Sequence, residues 1–510
     1  MPGSLVGDVL VDQPKGSGAV PAIMNESLGY ALIVSFTSAL GLMAVLANRL
    51  TERVKVPVPL LVLIGAAVAV RAVPVVQPPS ERTVERVITI ALVLVLFDGG
   101  MHIGPARFRA AAAPILSVGV VGTALTAAGA ALMVHYVCGI GWFPAVLVAT
   151  AVAPTDPAVV FSVLGKREIR GRSSTILEGE SGANDPVGIS LMSSLVAAGG
   201  LSAAGFAGVG TQFVLQMAIG LAVGVIGGRA LLVFMRRVAL PSEGLYPLRT
   251  LASCLMLYGI ATLAHGSGFL AVFVAGIVIG DARAPYKPEI KRFHAALAGL
   301  AEIVAFAVLG LTVDLDVLTH PDVWIPGVAL GVALTLVIRP LAVGSCLVPV
   351  RLQRNERVFI LFAGLKGAVP ILLGEFLRAA HVADAERLYG IVVVVVIFSV
   401  LVQGSSVPGV ARLLKLPMRT VETRPWQIGV RLADEPEGVH RFSVAPGSAA
   451  EGCTVEGLSD RVGDIWVSIV VRTTGLVPVR GETELRAGDE VVVLADPELH
   501  STLRELFGRP

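Results

Sequence analysis

Four acidic residues stand in stretches otherwise apolar enough to lie in a membrane: Asp98, Asp156, Glu180 and Asp185. Two basic residues, Arg339 and Lys366, have similar surroundings. A charge at that depth is costly, so such residues line ion paths or pair with one another. A carboxylate taken out of water disfavours its bare anion and holds a proton or a cation instead. The chemistry on offer is exchange of a small cation against a proton.

The local sequences sharpen this. Asp156 lies in Ala153-Pro154-Thr155-Asp156-Pro157. Two prolines cannot continue a regular helix, since each removes an N–H and crowds the preceding turn. The freed carbonyls must then be met by protein or by a watery cavity. A carboxylate, the Thr155 hydroxyl and those carbonyls make an oxygen-rich cation site. The plainer alternative is a proline kink with Asp156 as its cap. Next comes Glu178-Gly179-Glu180-Ser181-Gly182-Ala183-Asn184-Asp185-Pro186. Ser181 and Asp185 share one helix face, and Glu180 and Asn184 another. Gly364-Leu365-Lys366-Gly367-Ala368-Val369-Pro370 is a second interrupted stretch. Lys366 is expected to neutralise an acid. Glu180 is the first choice, because that leaves Asp156 and Asp185 free; Arg339 is the second candidate for the pair. Asp98, in Leu96-Phe97-Asp98-Gly99-Gly100, reads either as a further oxygen ligand or as a helix-end residue in water.

The elements that carry these residues follow from composition. Of 510 residues, 54% are hydrophobic and only 15% charged, and mean hydropathy is +0.78. Soluble domains carry about 25% charge, so that class is excluded. About thirteen apolar segments of spanning length lie between Leu28 and Leu416. They centre near Leu40, Ile64, Leu94, Leu125, Leu147, Leu191, Ile219, Leu257, Phe273, Phe306, Leu330, Ile371 and Val395. The fifth and the twelfth are the interrupted ones. Their odd separation gives them opposite orientation, the pointer to an inverted repeat with two broken, crossing helices. Arg and Lys gather in alternate loops, among them Arg49-Arg53-Lys55, Lys166-Arg167-Arg170-Arg172 and Arg412-Lys415-Arg419. The positive-inside rule makes those loops cytoplasmic, with the N-terminus outside and the C-terminus inside. The expected fold is an all-α polytopic membrane domain followed by a small cytoplasmic α+β domain. For that tail, Val439–Val444 reads as a strand, Ile465–Arg472 and Leu476–Val479 as a hairpin, Glu490–Leu494 as a strand and Pro497–Phe507 as a closing helix.

Other classes find little support. Cys138, Cys254, Cys346 and Cys453 are scattered, with no metal or redox spacing. The first residues carry Asp8, Asp12 and Lys15 and do not form a secretory signal. No GxGxxG follows a strand in the tail, and no HExxH occurs. The stretch around Gly266-Ser267-Gly268 is an incomplete nucleophile motif, which speaks against a hydrolase. Nothing calls for nucleic acid.

Thr155-Asp156-Pro157 followed by Glu180-Ser181-Gly182-Ala183-Asn184-Asp185-Pro186 resembles the monovalent cation:proton antiporters related to sodium/proton exchangers. Leu96-Phe97-Asp98-Gly99-Gly100 and Gly364-Leu365-Lys366-Gly367-Ala368 are similar to two further motifs of that family. The tail resembles the TrkA-C domain through Ala449–Val455 and Arg486–Leu494. The combination is similar to bacterial potassium/proton antiporters of the cell-volume-regulation type. The resemblance implies an extracytoplasmic tail over 1–27, an exchanger domain over 28–418 and a TrkA-C-like regulatory domain over 424–510.

It also implies roles. Asp156 and Asp185 become the ion-binding carboxylates, with Thr155 and Ser181 as oxygen ligands. Asn184 stands where charge-moving relatives carry a second Asp, which implies electroneutral exchange. Asp98 stands where the family usually has Glu, and Lys366 where it usually has Arg. The expectation is an antiporter, not an enzyme, of the bacterial inner membrane. It exchanges K+, or Na+, for H+ without a cofactor. Further expectations are lipid contact, a homodimer and control by a cyclic dinucleotide or similar small ligand at the tail. The alternative is a cation channel gated by the tail, although nothing resembles a selectivity filter.

Overall fold

The computed structural model describes residues 58–72, 78–164, 167–169, 172–200, 203–420, 438–463, 465–472 and 475–508. The expected tail over 1–27 and the first apolar segment near Leu40 lie outside the described residues. The chain divides into two compact units, Met1–Glu422 and Thr423–Pro510.

The first unit is helical because its apolar runs are long and rich in Ala, Leu and Val, and only a helix satisfies its own backbone in lipid. Its helices begin with Val58–Ala72 (α1), Glu81–Leu116 (α2), Thr123–Tyr136 (α3), Trp142–Val152 (α4), Pro157–Leu164 (α5) and Arg172–Ala198 (α6). Ala203–Arg237 (α7), Leu245–Leu263 (α8), Gly268–Gly280 (α9), Lys287–Thr312 (α10) and Leu315–Thr319 (α11) follow. The last are Pro321–Ala333 (α12), Arg339–Leu347 (α13), Arg354–Phe362 (α14), Ala368–Ala379 (α15), Ala385–Phe398 (α16) and Ser405–Leu413 (α17). Every expected segment centre from Ile64 onward falls inside one of these helices. Two short strands, Arg167–Ile169 (β1) and Met418–Thr420 (β2), pair antiparallel.

Five helical stretches among the described residues are long and apolar enough to cross a membrane: 81–136, 207–237, 287–312, 321–347 and 385–413. The first bends at Gly104, whose φ of 64° suits glycine. The half-helix restarted there is capped by Asp281, whose Oδ2 accepts a hydrogen bond from the Ala106 N–H at 3.0 Å. Along its spans, large apolar side chains are exposed while several charges are buried. Ile226, Leu336 and Leu341 are about two-thirds exposed, while Glu180, Asp185, Arg339 and Lys366 are buried. That distribution suits lipid as the solvent.

Among the described residues three π-helical turns interrupt the bundle: Ser117–Gly122 between α2 and α3, Leu334–Ile338 between α12 and α13, and Ser399–Gly404 between α16 and α17. Such turns gather at functional sites. Here the second leads directly into Arg339, and the third contains Ser399 and Gln403.

The second unit is a four-stranded antiparallel sheet. Val439–Ser443 (β3), Ile465–Arg472 (β4), Gly475–Val477 (β5) and Glu490–Ala495 (β6) lie in the order β3-β6-β4-β5. A register shift between Val467 and Ile469 marks a bulge. The helices Val455–Val462 (α18) and His500–Phe507 (α19) accompany the sheet, with Leu458, Val491, Val493, Leu503 and Phe507 in its core. The expected strands and closing helix are present; α18 was not foreseen. It starts at Thr454, whose Oγ1 accepts from the Gly457 N–H at 3.1 Å.

Candidate functional site

The site is built where two chain segments leave the helical path. Ala153 to Asp156 separates α4 from α5, and Ala363 to Gly367 separates α14 from α15. Prolines 154 and 157 enforce the first break, and Gly364, Gly367 and Pro370 permit the second. The two breaks touch. The Asp156 N–H donates to the Leu365 carbonyl at 2.8 Å. Lys366 Nζ donates back, to the carbonyls of Ala153 at 2.9 Å and Pro154 at 3.1 Å. Freed backbone groups of each segment are thus satisfied by the other, as buried irregular backbone requires.

Glycines let the partners close up. A Cβ placed on Gly367 would lie 2.0 Å from Asp156 Oδ2, and one on Gly364 would lie 2.1 Å from Arg339 Nε. The second break is also held from behind. The Lys366 N–H donates to Ser399 Oγ at 3.0 Å, and Ser399 Oγ donates to Gln403 Oε1 at 3.0 Å. Thr335 Oγ1 donates to the same Oε1 at 3.2 Å, and Gln403 Nε2 donates to the Phe362 carbonyl.

The helix α6 supplies the remaining groups. Glu180 accepts from Arg339 through both carboxylate oxygens, at 2.7 and 2.9 Å. Arg339 spends its other donors on the carbonyls of Leu361 and Ile360. This corrects the expectation that Lys366 is the direct partner of Glu180. A planar guanidinium matches a carboxylate with two parallel bonds, whereas the Lys366 ammonium serves two carbonyls and acts on Glu180 only through space. Thr155 Oγ1 accepts from Asn184 Nδ2 at 2.8 Å and donates to Glu180 Oε1 at 3.3 Å. Asn184 Oδ1 is buried and has no hydrogen-bond partner among the described residues.

Asp185 is buried and interacts electrostatically with Asp156 and Lys366. It takes no hydrogen bond from a described residue. Ser181 is buried one turn before it on α6. The structure therefore brings Thr155, Asp156, Glu180, Asn184, Asp185, Arg339 and Lys366 together, and leaves Asp185 the carboxylate least engaged by protein. Asp98 has a different setting. Its Oδ2 lies 3.2 Å from Nδ1 of His102 on the same helix, and its Oδ1 is buried without a partner among the described residues.

Two acids escaped the sequence reading, Glu375 buried and Glu302 half-buried. Glu375 on α15 is bound by Arg378 on the same helix, at 3.1 and 3.2 Å. Glu302 lies on the inner side of α10 and interacts electrostatically with Asp156. A single acid within Gly299-Leu300-Ala301-Glu302-Ile303-Val304-Ala305-Phe306 is signal enough by the rule that singled out the other four.

Crossed broken helices carrying buried carboxylates, with their backbone ends neutralised by a cation, define a helical membrane ion transporter. Comparison with known proteins gives the family. Residues 33–413 match the family described as sodium/hydrogen exchanger, transmembrane, and the chain belongs to it. Residues 439–508 match the TrkA-C domain. A K+/H+ antiporter NhaP of Alkalimonas amylolytica is 36% identical over 395 residues, covering 77% of this chain and 68% of that protein. A K+/H+ antiporter NhaP2 of Shewanella oneidensis is 32% identical over 425 residues, covering 82% and 73%. The fold is similar to the sodium proton antiporter MjNhaP1 of Methanocaldococcus jannaschii, with a TM-score of 0.64 at 19% identity. That likeness covers 76% of this chain and 99% of the other. The channel alternative finds no support in these relatives.

Proposed function

We propose that this chain is an electroneutral antiporter that exchanges a cytoplasmic monovalent cation, K+ in preference to Na+, for a proton. The relatives named as K+/H+ antiporters support the choice of ion. One observation carries the mechanism: Asp185 is buried beside Asp156 and Lys366 but accepts no hydrogen bond from a described residue.

Charge counting explains the stoichiometry. The Glu180–Arg339 pair cancels, and Asn184 is neutral. At the crossing itself Lys366 offsets one of the two aspartates, which leaves one negative charge there to be neutralised. Either one proton or one monovalent cation does this, and each excludes the other. Thr155, Ser181 and the Asn184 Oδ1 supply oxygens that replace part of the cation's hydration shell. Movement of the crossed breaks relative to the other helices then opens the site to each side in turn.

The membrane unit works as a multi-pass homodimer in the bacterial inner membrane, with the C-terminus in the cytoplasm. There the TrkA-C domain senses a small ligand, a cyclic dinucleotide being the first candidate. The deciding experiment uses everted vesicles. Asp185→Asn should abolish cation-induced pH recovery at wild-type expression. Retained exchange in that variant rejects the assignment of Asp185.

A further inference from the structure

We infer that Glu302 on α10 is a further cation-handling residue, which meets the ion on the side of the site opposite the broken helices. This rests on the antiport reading and extends it to a helix outside the crossing.

The placement comes first. Glu302 is flanked on α10 by Ala298, Ala301, Ala305 and Phe306, all buried, so it lies on the inward side of the helix. The helix α10 packs against α15. The first turn of α15 follows Gly367, against which the Asp156 carboxylate rests. Glu302 and Asp156 accordingly feel one another's charge.

The second observation is what Glu302 lacks. It makes no hydrogen bond or ion pair with a described residue. The basic residues of its own helix are Lys287, Lys291 and Arg292. The nearest of these is ten residues away, about 15 Å along an α-helix. Lys366 is engaged by the carbonyls of Ala153 and Pro154, and Arg339 by Glu180. An acid in an apolar span with no protein cation beside it is retained for an ion that comes and goes.

The third observation lies across the site. Asn184 is buried, donates to Thr155 beside Asp156, and leaves its Oδ1 without a partner among the described residues. An acceptor oxygen left open beside Thr155 and Asp156, and a carboxylate on α10 that feels the Asp156 charge, are oxygen groups of the kind that suit an alkali cation. The helix α10 then contributes to the ion's shell only while it faces the crossing. Its contribution changes as the crossing moves, and this helps a bound cation to leave.

The test uses full-length protein in liposomes, with K+ as the probe. Glu302→Gln keeps the shape and removes the charge. The KM for K+ should rise about tenfold or more while kcat stays within a few-fold, as loss of a nearby opposite charge requires. Glu302→Asp should recover most of that loss, which a merely structural role would not produce. Calorimetric titration of the purified proteins with KCl should show the same order of affinity. A KM in Glu302→Gln equal to that of wild type overturns the inference, as does Glu302→Asp behaving no better than Glu302→Gln. If wild-type protein itself exchanges no cation, the antiport reading fails first. If wild type exchanges and Glu302→Gln is unaltered, only the role of Glu302 falls.

Discussion

Arg339 and Glu180 form a two-pronged ion pair, with both side chains at most 4% exposed. Removing one partner of such a pair leaves a bare charge in a low-dielectric interior, which costs about 3–5 kcal/mol. The pair also anchors Thr155, whose hydroxyl donates to Glu180. Arg339→Ala should therefore destabilise the detergent-solubilised protein severely in a thermal unfolding assay. Glu180→Gln should destabilise it as well, since it leaves the Arg339 charge unpaired and turns an amide N–H toward a guanidinium N–H. Equal melting temperatures for wild type and Arg339→Ala would contradict the pair's structural role.

Lys366 bears on function more directly. Its ammonium satisfies the Ala153 and Pro154 carbonyls and offsets one charge of Asp156 and Asp185. Lys366→Met fills the same space but orphans both carbonyls, at about 1–3 kcal/mol each. It also leaves the aspartates one charge too negative for one-for-one exchange. Exchange in liposomes should fall about a hundredfold or more, on two lost interactions of that size. Wild-type rates in Lys366→Met would refute the charge count.

Gly367 is a purely steric test. A methyl there would meet Asp156 Oδ2 at 2.0 Å, and the backbone on both sides is fixed by the crossing. Gly367→Ala must push the carboxylate aside or part the two segments. Overpacking of this kind costs about 1–3 kcal/mol. The cation KM should change more than the melting temperature, since the displaced group is the carboxylate itself. Gly364→Ala should do the reverse, because its methyl would meet Arg339 at 2.1 Å from Nε.

The contrast between these residues shows what a sequence can reveal. Pro154, Pro157, Gly364 and Pro370 act on their own backbone, so both helix breaks are legible locally. Their crossing follows from their opposite orientation, since they stand seven segments apart. The partner of Glu180 is not legible in this way. Lys366 and Arg339 are both basic residues in apolar surroundings, and the choice depends on how α6 sits against α13 and α15. Glu302 was legible by composition, but its meaning depends on α10 turning that face toward Asp156. The π-helical turns before Arg339 and around Gln403 leave no periodic mark, because the inserted residue is absorbed without Gly or Pro at a fixed place. In the tail, alternation made the strands plain. The short helix α18 has only two turns and a threonine cap to announce it.

The tail offers a pH test outside the membrane. Asp489 is fully buried and accepts from Arg472 through both oxygens at 2.8 Å, and from the Arg486 N–H at 2.9 Å. Burial alone would push its carboxyl up. The Arg472 bonds and the Arg486 N–H outweigh that and hold it below the ordinary carboxylate value. A carboxyl depressed in the folded state binds its proton more readily when unfolded. It therefore contributes stability above the unfolded value, near pH 4, and loses that contribution as pH falls through the lower folded value. Segment 424–510 carries its own apolar core around Leu458, Val491 and Phe507. Its urea midpoint should be flat from pH 7 to about pH 5 in respect of this group and fall steeply below pH 4. Asp489→Asn should lower the midpoint at pH 7 and flatten the acid limb, since the titrating group is gone. An acid limb as steep in Asp489→Asn as in wild type would place the transition on other carboxylates.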